Sequence, residues 1–186
     1  MREKGGVVMR KTVLALALVV LLAGLAVIQQ FATAETATLP TEEAPKIGYL
    51  APTFELETLD GGTLGIERGP REKPVIVNFW ASWCDPCRME APMISDLYEK
   101  YRDRLDIYGV NGLEFDEMAS VQAFVKQYKY DFPTLLDAKS EVFKRYQVPG
   151  YPTSFFIDRD GVVRDIVIGL PGHEEFERRL KKLIES

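Results

Sequence analysis

Apolar positions along this chain recur with different periods, and each period predicts an element. Val75 to Trp80 (VIVNFW) is an almost unbroken apolar run, the pattern of a central strand buried on both faces. Met93, Ile94, Leu97, Tyr98 and Tyr101 follow at three- and four-residue spacing, predicting a helix that runs to about Arg104 with a kink at Pro92. Before the strand, Phe54 and Leu56 alternate with polar residues and lead into Asp60-Gly61-Gly62, which predicts a small hairpin. After the helix, Leu105 to Asn111 reads as a strand, and Val121, Phe124, Val125 and Tyr128 mark a second amphipathic helix. Phe132 to Leu136 predicts a short strand and Glu141 to Tyr146 a short helix. Thr153 to Ile157, a turn at Arg159-Asp160-Gly161, and Val162 to Ile168 predict an antiparallel pair. Phe176, Leu180, Leu183 and Ile184 line a closing helix. The order predicts an α/β domain with a mixed central sheet flanked by helices and an N-terminal hairpin extension.

The N-terminal pattern is of another kind. Arg2, Lys4, Arg10 and Lys11 precede an uncharged apolar run of 16 residues, Val13 to Ile28. Gln29 and Gln30 end it, and Ala32-Thr33-Ala34 offers a small-residue cleavage site. Residues 1–34 are therefore an export signal or a membrane anchor, with the basic start inside and the remainder outside. Met9 would also serve as a start. Residues 35–45, rich in Thr, Ala, Glu and Pro, read as a linker, and residues 46–186 as the folded domain.

Charge sharpens this picture. The whole chain carries a net charge of -5; the first 34 residues hold four basic and one acidic residue, so the rest carries 19 basic against 27 acidic, a net of -8. An acidic exported domain argues against nucleic-acid binding. The single histidine, His173, reads as a surface residue at a helix start and makes a His-rich metal site an unpromising expectation.

The chemistry rests on two cysteines, Cys84 and Cys87. They close too small a loop to staple a fold, and in an oxidising compartment such a pair makes a good reversible switch. They lie where the buried strand gives way to the helix. Cys84 at the helix N-terminus faces free backbone N–H groups and the positive end of the dipole, which favour the attacking thiolate. Pro86 suits the first turn, where its missing N–H costs little. Cys87, one turn inside, is placed to resolve a mixed disulfide on Cys84. Asp85 sets a carboxylate beside Cys84; it disfavours the thiolate and so tilts the couple towards a reductant.

The string Val77 to Glu90 (VNFWASWCDPCRME) resembles the active-site segment of TlpA/ResA-type thioredoxin-like proteins. The similarity extends over roughly Ile47 to Ile184 and takes in Pro52, Val110 to Glu114, Tyr151 to Asp158 and Asp160 to Val163. It implies a membrane-tethered or exported thiol-disulfide oxidoreductase of the thioredoxin fold, its only redox group the Cys84–Cys87 disulfide. It implies that Pro152, after Tyr151, is cis beside the cysteines and offers backbone to a substrate peptide. It places Glu114 near the thiols as a proton relay for Cys87, and Trp83 over the disulfide as part of the docking surface. Asn78 stands where thioredoxin has a buried Asp, and an amide cannot relay a proton. Partners implied are protein thiols, apocytochrome c cysteines among them, with electrons from a membrane thiol transporter. A peroxidase of the related peroxiredoxins would need Thr or Ser at Ala81. A Cu(I) carrier is the alternative use of two thiols.

Overall fold

The computed structural model describes residues 16–24 and 39–186. Residues 16–24 are helical (α1) and belong to a unit of their own, Met1–Leu39, apart from Pro40–Ser186. Among the described residues no helix is long and apolar enough to cross a membrane. The Ala32–Ala34 cleavage site and residues 35–38 of the expected linker lie outside the described residues. Residues 40–45 of that linker are fastened to the domain. Glu43 bridges Leu50, accepts the Thr53 N–H at 3.3 Å and pairs with Arg68.

The domain carries seven strands in one sheet, ordered β2-β1-β5-β4-β3-β6-β7. These are β1 (Phe54–Thr58), β2 (Thr63–Ile66), β3 (Val75–Trp80), β4 (Asp106–Asn111), β5 (Thr134–Leu136), β6 (Thr153–Ile157) and β7 (Val163–Ile168). Four helices accompany them: α2 (Asp85–Tyr101), α3 (Met118–Tyr128), α4 (Glu141–Arg145) and α5 (His173–Glu185). A 3-10 turn at Leu113–Phe115 links β4 to α3. β3 lies parallel to β4 and antiparallel to β6, so the sheet is mixed, as the thioredoxin-like reading expects.

All six residues of β3 are buried, and strand alternation divides them between two cores. Ile76 and Trp80 face the core built with α2, α3 and α5, through Ile94, Leu97, Phe124, Phe176 and Leu180. Val75, Val77 and Phe79 face the other, with Phe143, Tyr146 and Phe155. The expected hairpin is β1–β2, and it is no appendage: β1 pairs with β5 and completes the sheet edge. Gly65 opposes Glu55 there so closely that a Cβ would stand 1.8 Å from the Phe54 carbonyl oxygen.

Boundaries move for identifiable reasons. α2 is continuous through Pro92 but closes at Tyr101, where the Arg102 N–H returns to the Tyr98 carbonyl. β5 is trimmed to three residues behind Pro133, which has no N–H to give a ladder. β7 begins at Val163 because a bulge shifts the β6 register and Val162 pairs with Leu50.

Candidate active site

Cys84 is the N-cap of α2 and Cys87 sits in its first turn, so the strand-to-helix junction builds the site. The two form a disulfide, 2.11 Å between sulfurs. The Cys87 N–H donates to Cys84 Sγ at 3.1 Å, the contact expected of an orphan donor at a helix start. Cys84 is 5% exposed and Cys87 1%, so an incoming thiolate reaches Cys84 first. That order supports Cys84 as the exchanging sulfur and Cys87 as the resolving one.

Asp85 and Pro86 are exposed in the first turn. The Asp85 carboxylate lies 3.3 Å from the Arg88 guanidinium, which offsets part of the charge it sets beside Cys84. Trp83 is half exposed; its indole N–H donates to the Phe115 carbonyl at 2.8 Å, and Tyr151 meets its ring edge-on at 5.6 Å. The Tyr151–Pro152 bond is cis. Pro152 itself is buried and its carbonyl accepts the Gly169 N–H at 2.8 Å, so it offers no backbone to a substrate. The Tyr151 N–H and carbonyl have no hydrogen-bond partner among the described residues. Burial, then the carboxylates of Asp137, Asp116 and Glu114, push the Tyr151 phenol up, which keeps it neutral.

Glu114 lies on the 3-10 turn, exposed, 4.0 Å from Lys144, and its charge acts on the Tyr151 phenol. Glu90, which sequence reasoning passed over, is a carboxyl buried on α2, the helix of the cysteine pair. It is 1% exposed, on the same α2 face as Cys87 and one turn further on. Its Oε2 accepts from Asn78 Nδ2 at 3.1 Å, and the same amide donates to Ser154 Oγ at 2.9 Å. Burial pushes Glu90 up to about 8, against a weaker downward pull from the Asn78 amide, so the carboxyl holds its proton at neutral pH. A signal was present: Glu90 falls on the buried stripe Cys87, Ala91, Ile94, Leu97, where a charged residue is out of place.

Asp116, also passed over, gathers the loop before the cysteines. Its carboxylate accepts the Ser82 N–H at 2.6 Å and hydroxyl at 2.5 Å, Asn111 Nδ2 at 2.9 Å and the Glu117 N–H at 2.9 Å. No group of three or more His, Cys, Asp or Glu that could hold a metal is found among the described residues.

The chain matches the AhpC/TSA family over residues 47–166. It is 38% identical to the thiol-disulfide oxidoreductase ResA of Bacillus thuringiensis subsp. konkukian over 143 residues, 76% of this chain and 81% of that protein. With ResA of Geobacillus kaustophilus the identity is 32% over 184 residues, 98% of this chain and 99% of that one. Among solved structures, a secreted Mycobacterium tuberculosis disulfide oxidoreductase homologous to Escherichia coli DsbE shares the fold at a TM-score of 0.62 and 26% identity. That similarity covers 70% of this chain and 96% of the other. By the family match and the identity to these relatives, the chain belongs to the AhpC/TSA family as a ResA-type thiol-disulfide oxidoreductase.

Proposed function

We propose that the protein works outside the cytoplasm as a reductase of disulfides in exported polypeptides, with the cysteines of apocytochrome c as substrate. In this reading the N-terminal apolar run is retained as a membrane anchor, and a membrane thiol transporter returns the protein to its dithiol form. The observation that carries the reading is the setting of the pair. Cys84 caps α2 behind an exposed carboxylate, Asp85, while a proton-holding Glu90 is buried one turn beyond Cys87. The basic flank and apolar run of residues 1–34 support export, as does the likeness to a secreted oxidoreductase.

The steps follow from these positions. The Cys84 thiolate attacks a substrate disulfide; that bond breaks, a substrate sulfur leaves as thiolate, and a mixed disulfide forms on Cys84. Cys87 gives its proton to Glu90, left ionised because the preceding recharging step passed its proton to Cys87, and attacks the Cys84 sulfur. The second substrate sulfur departs, two electrons have passed to the substrate, and the Cys84–Cys87 disulfide remains with Glu90 protonated. Recharging reverses this: a donor dithiol attacks Cys84, and Cys87 leaves with the Glu90 proton.

Replacing the resolving cysteine tests the reading. The Cys87→Ala protein, reduced and mixed with disulfide-form apocytochrome c, is expected to accumulate a mixed disulfide through Cys84 that a reductant dissolves. Capture of no polypeptide, with stoichiometric Cu(I) binding by the wild-type dithiol, would overturn it in favour of a copper carrier.

A further inference from the structure

Phe115 is 64% exposed, on a turn that is anything but loose. Its N–H reaches the Gly112 carbonyl at 3.0 Å, and its own carbonyl receives the Trp83 indole N–H at 2.8 Å. The next residue, Asp116, spends all the acceptor capacity of its carboxylate on four donors. Two of these belong to Ser82, whose carbonyl accepts from Arg88 Nε at 3.0 Å. The active-site loop before Cys84 and the turn that carries Phe115 are thereby tied into one body. Trp83 is held from a second side by the Tyr151 ring, yet 52% of its surface stays open.

A single exposed apolar residue is ordinary on a protein surface. Two large exposed aromatic residues, one next to Cys84 in the chain and hydrogen-bonded through its indole to the backbone carbonyl of the other, are a different matter. Apolar surface fixed in advance loses little entropy when a partner covers it. The substrate must bring its own sulfur to Cys84, so the residues beside its cysteine pass over this surface towards the unpaired backbone of Tyr151. The surrounding charges are mixed, Asp85 beside Arg88 and Glu114 beside Lys144, so it is the apolar surface itself that disfavours a charged neighbour.

We propose that Phe115 is a specificity-determining residue of the exchange reaction: with Trp83 it forms a fixed apolar lip beside Cys84 that selects polypeptides carrying an apolar residue next to the reacting cysteine. Asp116 is the positioning residue that holds the lip in place. This rests on disulfide exchange alone and not on apocytochrome c being the substrate.

The test uses the reduced full chain and three disulfide-bonded peptides that differ only in the residue beside the cysteine: Leu, Ser or Glu. Wild-type protein should reduce the Leu peptide about tenfold more efficiently than the Ser peptide, and the Glu peptide least well. In Phe115→Ala the difference should collapse to about twofold through a raised KM for the Leu peptide, with the redox equilibrium against glutathione unmoved. Asp116→Asn should weaken the preference in the same direction and shift the Trp83 fluorescence as its anchor loosens. Equal rates for all three peptides in the wild type would overturn the proposal, as would a preference that survives in Phe115→Ala. A shift of the glutathione equilibrium in Phe115→Ala would overturn it too, by making the residue part of the dithiol's own environment.

Discussion

At the scale of single residues, Glu90 decides most. Its proton is kept by burial: ionised, the carboxylate would face only the Asn78 amide in a core with almost no water. The consequence for stability has a definite sign. The unfolded carboxyl ionises near 4.5 and the folded one near about 8. Between those values unfolding releases a proton, so stability is full below 4.5, falls as pH rises, and levels off above about 8. The slope is as much as about 1.4 kcal/mol per pH unit. Glu90→Gln stays neutral throughout and should remove this slope, leaving the variant the more stable protein at pH 9. Urea unfolding of both disulfide-form proteins from pH 5 to 9 checks this; parallel profiles would refute it. The two cysteines were legible because C-x-x-C between a strand and a helix has few other uses. Glu90 was not, although its place in the stripe was visible, because its neighbours come from another part of the chain. Asn78 was legible as a group that cannot relay a proton; that its amide donates to the buried Glu90 carboxyl was not. Glu114, expected near the thiols, is exposed and lies 4.0 Å from Lys144.

At the scale of elements, the long ones could be read and the short ones only placed. β3 shows itself by six consecutive buried residues and α2 by its stripe. β5, three residues long behind a proline, carries too little pattern to set its own ends. Register is illegible in principle, since it belongs to pairs. Asn78 lies opposite Ser154 in the β3–β6 ladder, 76 residues apart in sequence, and this places the amide between the hydroxyl and Glu90. The hairpin offers a test of how far elements depend on one another. Gly65 is required by the close approach of β1, since any Cβ would strike the Phe54 carbonyl oxygen. Gly65→Ala should cost about 2–3 kcal/mol, of the order seen for a backbone displaced at a packed site, and loosen the sheet edge. Denaturant midpoints measure the loss, and amide exchange should locate it in β1 and β2. Unchanged midpoints would mean that the hairpin yields freely.

At the scale of the whole molecule, seven strands and their helices build two cores on opposite faces of one sheet without help from a disulfide, which leaves the cysteine pair free to open and close. The folded domain owes its boundaries to tertiary ties that composition does not announce. Residues 40–45 look like a linker by their Thr, Glu and Pro content, yet the Glu43 carboxylate binds them to Thr53 and Arg68. The buried proton on Glu90 has one further effect, felt by whatever supplies the electrons. In the proposed exchange Cys87 leaves with this proton, so below about pH 8 the disulfide form already carries it, and above that reduction draws one more from water. For a two-electron couple, each additional proton taken up steepens the fall of potential with pH by about 30 mV per unit. A plot of midpoint potential against pH should therefore bend downward near 8, and Glu90→Gln should straighten it. The molecule would then carry an internal proton reserve, so that in neutral surroundings its reducing power responds weakly to acidity.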